Sequence, residues 1–144
     1  MPMLQSEKQL EVRFCEVDSM HIVWHGHYLQ YLEEGREDFG RKFGLGYRQL
    51  AAAGYGIPIV DLQVSYKQSL RYGDALVVET RYRPTAAPKL CFDYRIRRAG
   101  TREIVCTGRT TQVFIDAHQQ LQLLPPPCFT AWLQQWQLTP EPAL

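Results

Sequence analysis

No stretch of this 144-residue chain comes near the ~20 consecutive apolar residues that a bilayer-crossing helix needs. The opening segment MPMLQSEKQL also lacks the hydrophobic stretch of a secretory signal. A cytoplasmic protein without a membrane span is expected. Cysteine is scarce: Cys15, Cys91, Cys106 and Cys128 stand far apart with no C-x-x-C, which excludes a disulfide scaffold and leaves four thiols expected to be reduced. There is no G-x-S-x-G elbow, and Gly54-Tyr55-Gly56 is too short for a phosphate-cradling loop, so cofactor-free chemistry is favoured. His21, His25 and His27 match no spacing characteristic of zinc, and no metal is expected. Excess charge of one sign is missing too: 16 basic against 15 acidic residues, with no recognition motif, speak against nucleic-acid binding.

What is present is enough apolar material for one core. With 45% hydrophobic residues, a chain of this length buries about two-thirds of its extended surface without staples. One domain over residues 1–144 is expected. The near-zero charge is unevenly spread: residues 81–109 carry eight basic against two acidic residues, and no Lys or Arg follows Arg109. That basic segment is either a surface for phosphates or an acidic partner, or a solvated sheet face.

Hydrophobic periodicity orders the elements. Leu10, Val12 and Phe14 alternate with polar neighbours and suggest a first strand over 9–16. From His27 to Phe43 the period turns helical, with Tyr28, Leu32, Gly35, Phe39 and Phe43 on one face. Gly44 follows where a left-handed cap would end the helix, and a short second helix is expected over 47–53. Four half-buried antiparallel strands then follow, beginning near Val60, Leu76, Leu90 and Ile104, with Gly108 marking a bulge or a close approach to the helix. After Pro125-Pro126-Pro127, a short helix over 128–137 places Phe129, Trp132, Leu133 and Trp136 for packing. A strand, a long helix, four strands and a terminal helix make an α+β domain.

The chemistry concentrates in VRFCEVDSMHIVWHGHYLQYLEEGR, residues 12–36. Asp18 falls between strand and helix, and His25 and His27 stand at the helix entrance. A helix amino terminus offers unpaired N–H groups and partial positive charge, which favour a developing oxyanion. On spacing alone, Asp18 either satisfies loop N–H groups or supplies a reacting carboxylate. Trp24, Tyr28 and Tyr31 either line a pocket beside this entrance or fill the core.

These residues resemble the hotdog-fold acyl-CoA thioesterases of the 4-hydroxybenzoyl-CoA thioesterase type, including their Tol-Pal-associated branch. The resemblance rests on V-R-F, Asp18 and I-V-W-H-G-H-Y-L-Q-Y-L-E-E-G-R, with V-S-Y-K-Q-S-L-R-Y-G-D at 64–74 as a second match. It covers residues 10–132 and implies a long central helix wrapped by a curved antiparallel sheet of about five strands, in subunits that pair into homodimers or homotetramers. It implies hydrolysis of an acyl-CoA thioester, with coenzyme A entering only as part of the substrate. Asp18 would be nucleophile or general base, a choice the sequence leaves open. His25 matches the branch's active-site histidine, and its backbone N–H would polarise the thioester carbonyl. Tyr28 would lie near the acyl end, and Ser65, Tyr66 and Lys67 near the pantetheine groove, with Arg97 or Arg98 on the nucleotide phosphates. Ser69 stands where the family has proline, which bears on substrate preference. The same chemistry on acyl carrier protein substrates, and a non-catalytic acyl-CoA binder, are the alternatives.

Overall fold

The apolar face read from the sequence becomes α1 (His27–Phe43), in which Tyr28, Leu32, Gly35, Phe39 and Phe43 are all buried. The computed structural model, which describes residues 3–138, ends this helix at Gly44, left-handed at φ 77°. That conformation lets the Gly44 N–H reach the Gly40 carbonyl at 2.9 Å and costs glycine nothing sterically. The short second helix forms as α2 (Tyr47–Ala52).

Five strands, β1 (Gln5–Glu11), β2 (Ile59–Tyr66), β3 (Ala75–Arg83), β4 (Lys89–Arg98) and β5 (Ile104–Val113), form one antiparallel sheet in the order β1-β3-β4-β5-β2. Alternation points Leu76, Val78, Thr80 and Tyr82 of β3 and Leu90, Phe92, Tyr94 and Ile96 of β4 into the core under α1. Gly108 is a close approach and not a bulge: a Cβ there would lie 3.0 Å from Leu32 Cδ1. The register shifts fall elsewhere, at Ile59/Asp61 and Ile96/Arg97. The last helix, α3 (Pro127–Gln135), buries Phe129 and Trp132. It also closes α1, since the indole N–H groups of Trp132 and Trp136 both donate to the Phe43 carbonyl, at 2.8 and 3.0 Å.

Two expectations are corrected. The first strand is β1, four residues earlier than 9–16. Its pairing with β3 stops at Glu11↔Ala75 because β3 begins there, and Phe14, beyond the pairing, is 76% exposed. β2 is not half-buried: Ile59, Val60, Leu62 and Tyr66 are all exposed, because β2 is the outermost strand beside β5. The basic segment is mainly a solvated sheet face, with Arg109 on Asp93 at 2.9 Å and Arg97 on Glu79 at 3.1 Å. All four cysteines are free thiols.

Between β1 and α1 a 3-10 turn, Phe14–Glu16, buries the Glu16 side chain to 3% exposure. Burial alone would raise its carboxyl pKa. The Arg13 N–H, the Tyr31 hydroxyl and the Arg13 guanidinium outweigh that and hold it below the ordinary value. A depressed carboxyl contributes stability that is present above its unfolded pKa and is lost as pH falls through the folded one. Thermal melts between pH 7 and 3 should therefore show wild type losing its advantage over Glu16→Gln on acidification. A gap that does not change with pH would contradict the ionised, hydrogen-bonded state.

Candidate active site

The chain after the 3-10 turn folds into a hairpin that carries Asp18. Val17 and Val23 form a bridge, the Asp18 N–H donates to the Ile22 carbonyl at 2.9 Å, and the His21 N–H returns to the Asp18 carbonyl at 2.9 Å. His21 takes a left-handed φ of 64° to make this tight turn. Asp18 Oδ1 accepts the Met20 N–H at 2.8 Å, so one oxygen does hold the loop. Oδ2 has no protein partner among the described residues.

Asp18, His25, Tyr28, Tyr66, Gln68 and Ser69 converge on one cleft of about 160 Å³. The helix entrance forms one wall: α1 is N-capped by Gly26, and the amides of His25 and Gly26 donate to no acceptor among the described residues. The Trp24 ring lies against His25, with centroids 4.9 Å apart, and occupies the space a Cβ on Gly26 would need. A side chain at Gly26 would displace the Trp24 ring from the helix entrance. The opposite wall is the end of β2. The Tyr66 hydroxyl donates to the His25 carbonyl at 2.7 Å, and the Tyr28 hydroxyl accepts the Leu70 N–H at 3.3 Å. Burial raises the pKa of both phenols, so both stay protonated.

Of the residues singled out in the sequence, the cleft gathers Asp18, His25, Tyr28 and Tyr66. Ser65 and Lys67 are not brought to it. Alternation along β2 turns Ser65 to the other face of the sheet, where it lines a shallow polar hollow of about 500 Å³ with Arg95 and Arg109, and Lys67 follows the end of the strand. Arg97 and Arg98 are occupied: Arg97 pairs with Glu79, while Arg98 binds Asp74, the Gln68 side chain and the Ser69 carbonyl. Arg98 thus braces the 68–70 turn that the family's proline would stiffen. Tyr28 is buried and Trp24 is half-exposed over the helix entrance. Met20, Ile22, Val23 and Gln68 line the cleft without having been singled out in the sequence, and Ser69 was marked there only as a departure from the family's proline. No group of three or more His, Cys, Asp and Glu side chains is placed to hold a metal among the described residues.

The profile of the Thioesterase-like superfamily matches residues 12–137, a span that contains the hairpin, the helix and the whole sheet from β2 onward. The chain belongs to that superfamily. Within it, this thioesterase-like chain is 37% identical over 118 residues to "Putative acyl-CoA thioesterase YneP" of Bacillus subtilis, across 81% of this chain and 86% of that one. It is 29% identical over 110 residues to the chloroplastic acyl-acyl carrier protein thioesterase ATL3 of Arabidopsis thaliana, across 76% of this chain and 58% of that one. Its fold superposes on a DHNA-CoA thioesterase from Staphylococcus aureus with a TM-score of 0.82 and 26% identity, covering 92% of this chain and 91% of that chain. The helix wrapped by a five-stranded curved sheet is the hotdog arrangement of these thioesterases.

Proposed function

We propose that the protein is an acyl-CoA thioesterase, hydrolysing an acyl-CoA to the free acid and coenzyme A. The observation that carries this is that Asp18, one of whose carboxylate oxygens has no protein partner among the described residues, shares a cleft with His25 of the helix entrance, where the His25 and Gly26 amides are free. A thioester carbonyl seated there points its oxygen at the His25 and Gly26 N–H groups. As Asp18 attacks the carbonyl carbon, or takes the proton of an attacking water, negative charge moves onto that oxygen. Donors already in place stabilise it without reorganising, each by about 3–4 kcal/mol. Collapse expels the coenzyme A thiolate, which takes up a proton, and one water is consumed per acid released. The chemistry uses the chain's own groups, with no metal or cofactor.

The whole of residues 1–144, whose ends lie outside the described residues, is taken as one domain acting in the cytoplasm. The exposed apolar edge of β2 supports pairing of subunits into a homodimer or homotetramer. The likeness to ATL3 favours a second carrier, acyl carrier protein, for the same chemistry.

Thiol release followed with a disulfide reagent tests this on short, long and aromatic acyl-CoAs and on an acyl carrier protein ester. Turnover of a coenzyme A ester, unchanged by a chelator, is the expected result. Turnover of the protein-carried ester alone would transfer the assignment to that carrier. Tight acyl-CoA binding without turnover on any ester would make the protein a binder.

A further inference from the structure

Asp18 and the oxyanion donors sit on different elements, a hairpin and a helix, and their separation has to be held to a fraction of an ångström for the reaction to proceed. Glu16 is where the two elements join. Its carbonyl accepts the Trp24 N–H at 3.0 Å, which closes the hairpin around Asp18 at its base. Its carboxylate accepts the Tyr31 hydroxyl at 2.9 Å, and Tyr31 lies four residues, about one turn, into α1 from His27. Among the described residues this is the one side-chain hydrogen bond between segment 13–24 and α1. Glu16 and Tyr31 are both 3% exposed, and Glu16 Oε1 and Oε2 are further held by the Arg13 N–H at 2.8 Å and the Arg13 guanidinium at 3.2 Å. Sliding the hairpin along the helix would leave a buried carboxylate partly unpaired, a steep penalty. The geometry is therefore stiff where the chemistry needs it.

We propose that Glu16 and Tyr31 are a positioning pair: their buried hydrogen bond fixes the Asp18 hairpin against α1 and sets the carboxylate's distance from the helix entrance. This rests on Asp18 and the helix entrance being the reacting site. Neither Glu16 nor Tyr31 touches the substrate; both act through Asp18.

The test compares Tyr31→Phe, Glu16→Ala, Glu16→Gln and Asp18→Asn on a coenzyme A ester that wild type hydrolyses, with hydrogen exchange at the Trp24 amide measured on the same proteins. Tyr31→Phe and Glu16→Ala are expected to lower kcat about tenfold to a hundredfold with KM nearly unchanged, and to speed Trp24 exchange. Glu16→Gln, whose amide oxygen still accepts the Tyr31 hydroxyl and the Arg13 N–H, is expected to restore both. Wild-type kcat in Tyr31→Phe beside an inactive Asp18→Asn overturns the pair, as does unchanged exchange at Trp24. An Asp18→Asn protein as active as wild type overturns the catalytic assignment of Asp18 instead, and exchange then decides by itself whether the pair holds the hairpin.

Discussion

Asp18→Asn is expected to lower kcat by at least about a thousandfold, equivalent to roughly 4 kcal/mol of transition-state stabilisation, while the affinity for acyl-CoA changes little. The substitution is conservative in shape, and the loop hydrogen bond survives it: the asparagine side-chain oxygen can accept the Met20 N–H as Asp18 Oδ1 does at 2.8 Å. What disappears is the basic and nucleophilic oxygen. An amide can neither attack the carbonyl nor take a proton from water, in either version of the mechanism. The His25 and Gly26 amides and the cleft walls remain, so residual turnover over the uncatalysed reaction is expected from the oxyanion donors alone. Steady-state kinetics with a binding isotherm separates the two effects; an Asn variant within tenfold of wild-type kcat would remove the carboxylate from the chemistry.

The largest effect on folding is expected at Gly35. This residue faces β3 from the middle of α1, where a Cβ would come 2.5 Å from Thr80 Oγ1 and 2.6 Å from Val78 Cγ1, both fully buried. Two effects oppose each other in Gly35→Ala. Alanine favours the helix over glycine by about 1 kcal/mol, whereas overpacking a close contact costs about 1–3 kcal/mol or more. Both contacts fall under 3.0 Å and meet branched side chains on a rigid central strand, so overpacking wins. A net loss of about 2 kcal/mol should lower Tm by roughly 4–8 °C for a domain of this size. A thermal melt that moved upward would mean that helix propensity dominates and that α1 can lift off the sheet at no cost.

The elements that the sequence discloses well are those whose partners repeat a local period. Tyr28, Leu32, Gly35, Phe39 and Phe43 mark α1 to the residue, because a long amphipathic face has one way to bury itself. β2 and β3 alternate alike in sequence, yet β3 is central and buried while β2 is an exposed edge. Strand order is a property of the whole sheet and leaves no trace in either segment. The misplaced start of β1 has the same origin: Phe14 continues the alternation, but β3 offers no partner beyond Ala75.

At the site, the resemblance pointed to Asp18 and His25, and the structure seats both in one cleft with Tyr28 and Tyr66. The two-residue period of a strand sends neighbours to opposite faces, so Tyr66 lines this cleft while Ser65 lines the outer hollow. Glu16 could not be identified as buried, since a glutamate at the end of an expected strand over 9–16 reads as a solvent-facing charge. Its partner Tyr31 is 15 residues away, and only the packing of hairpin on helix brings them together.

The most direct test of the account is a crystal structure of the Asp18→Asn protein with an intact acyl-CoA. The account expects the thioester in the cleft between the residue-18 hairpin and the helix entrance, its carbonyl oxygen about 3 Å from the His25 or Gly26 N–H and its carbonyl carbon facing the residue-18 side chain. A thioester seated elsewhere, for example in the hollow of about 340 Å³ lined by Leu45, Tyr47 and Phe92, with the helix-entrance amides left to solvent, would contradict it.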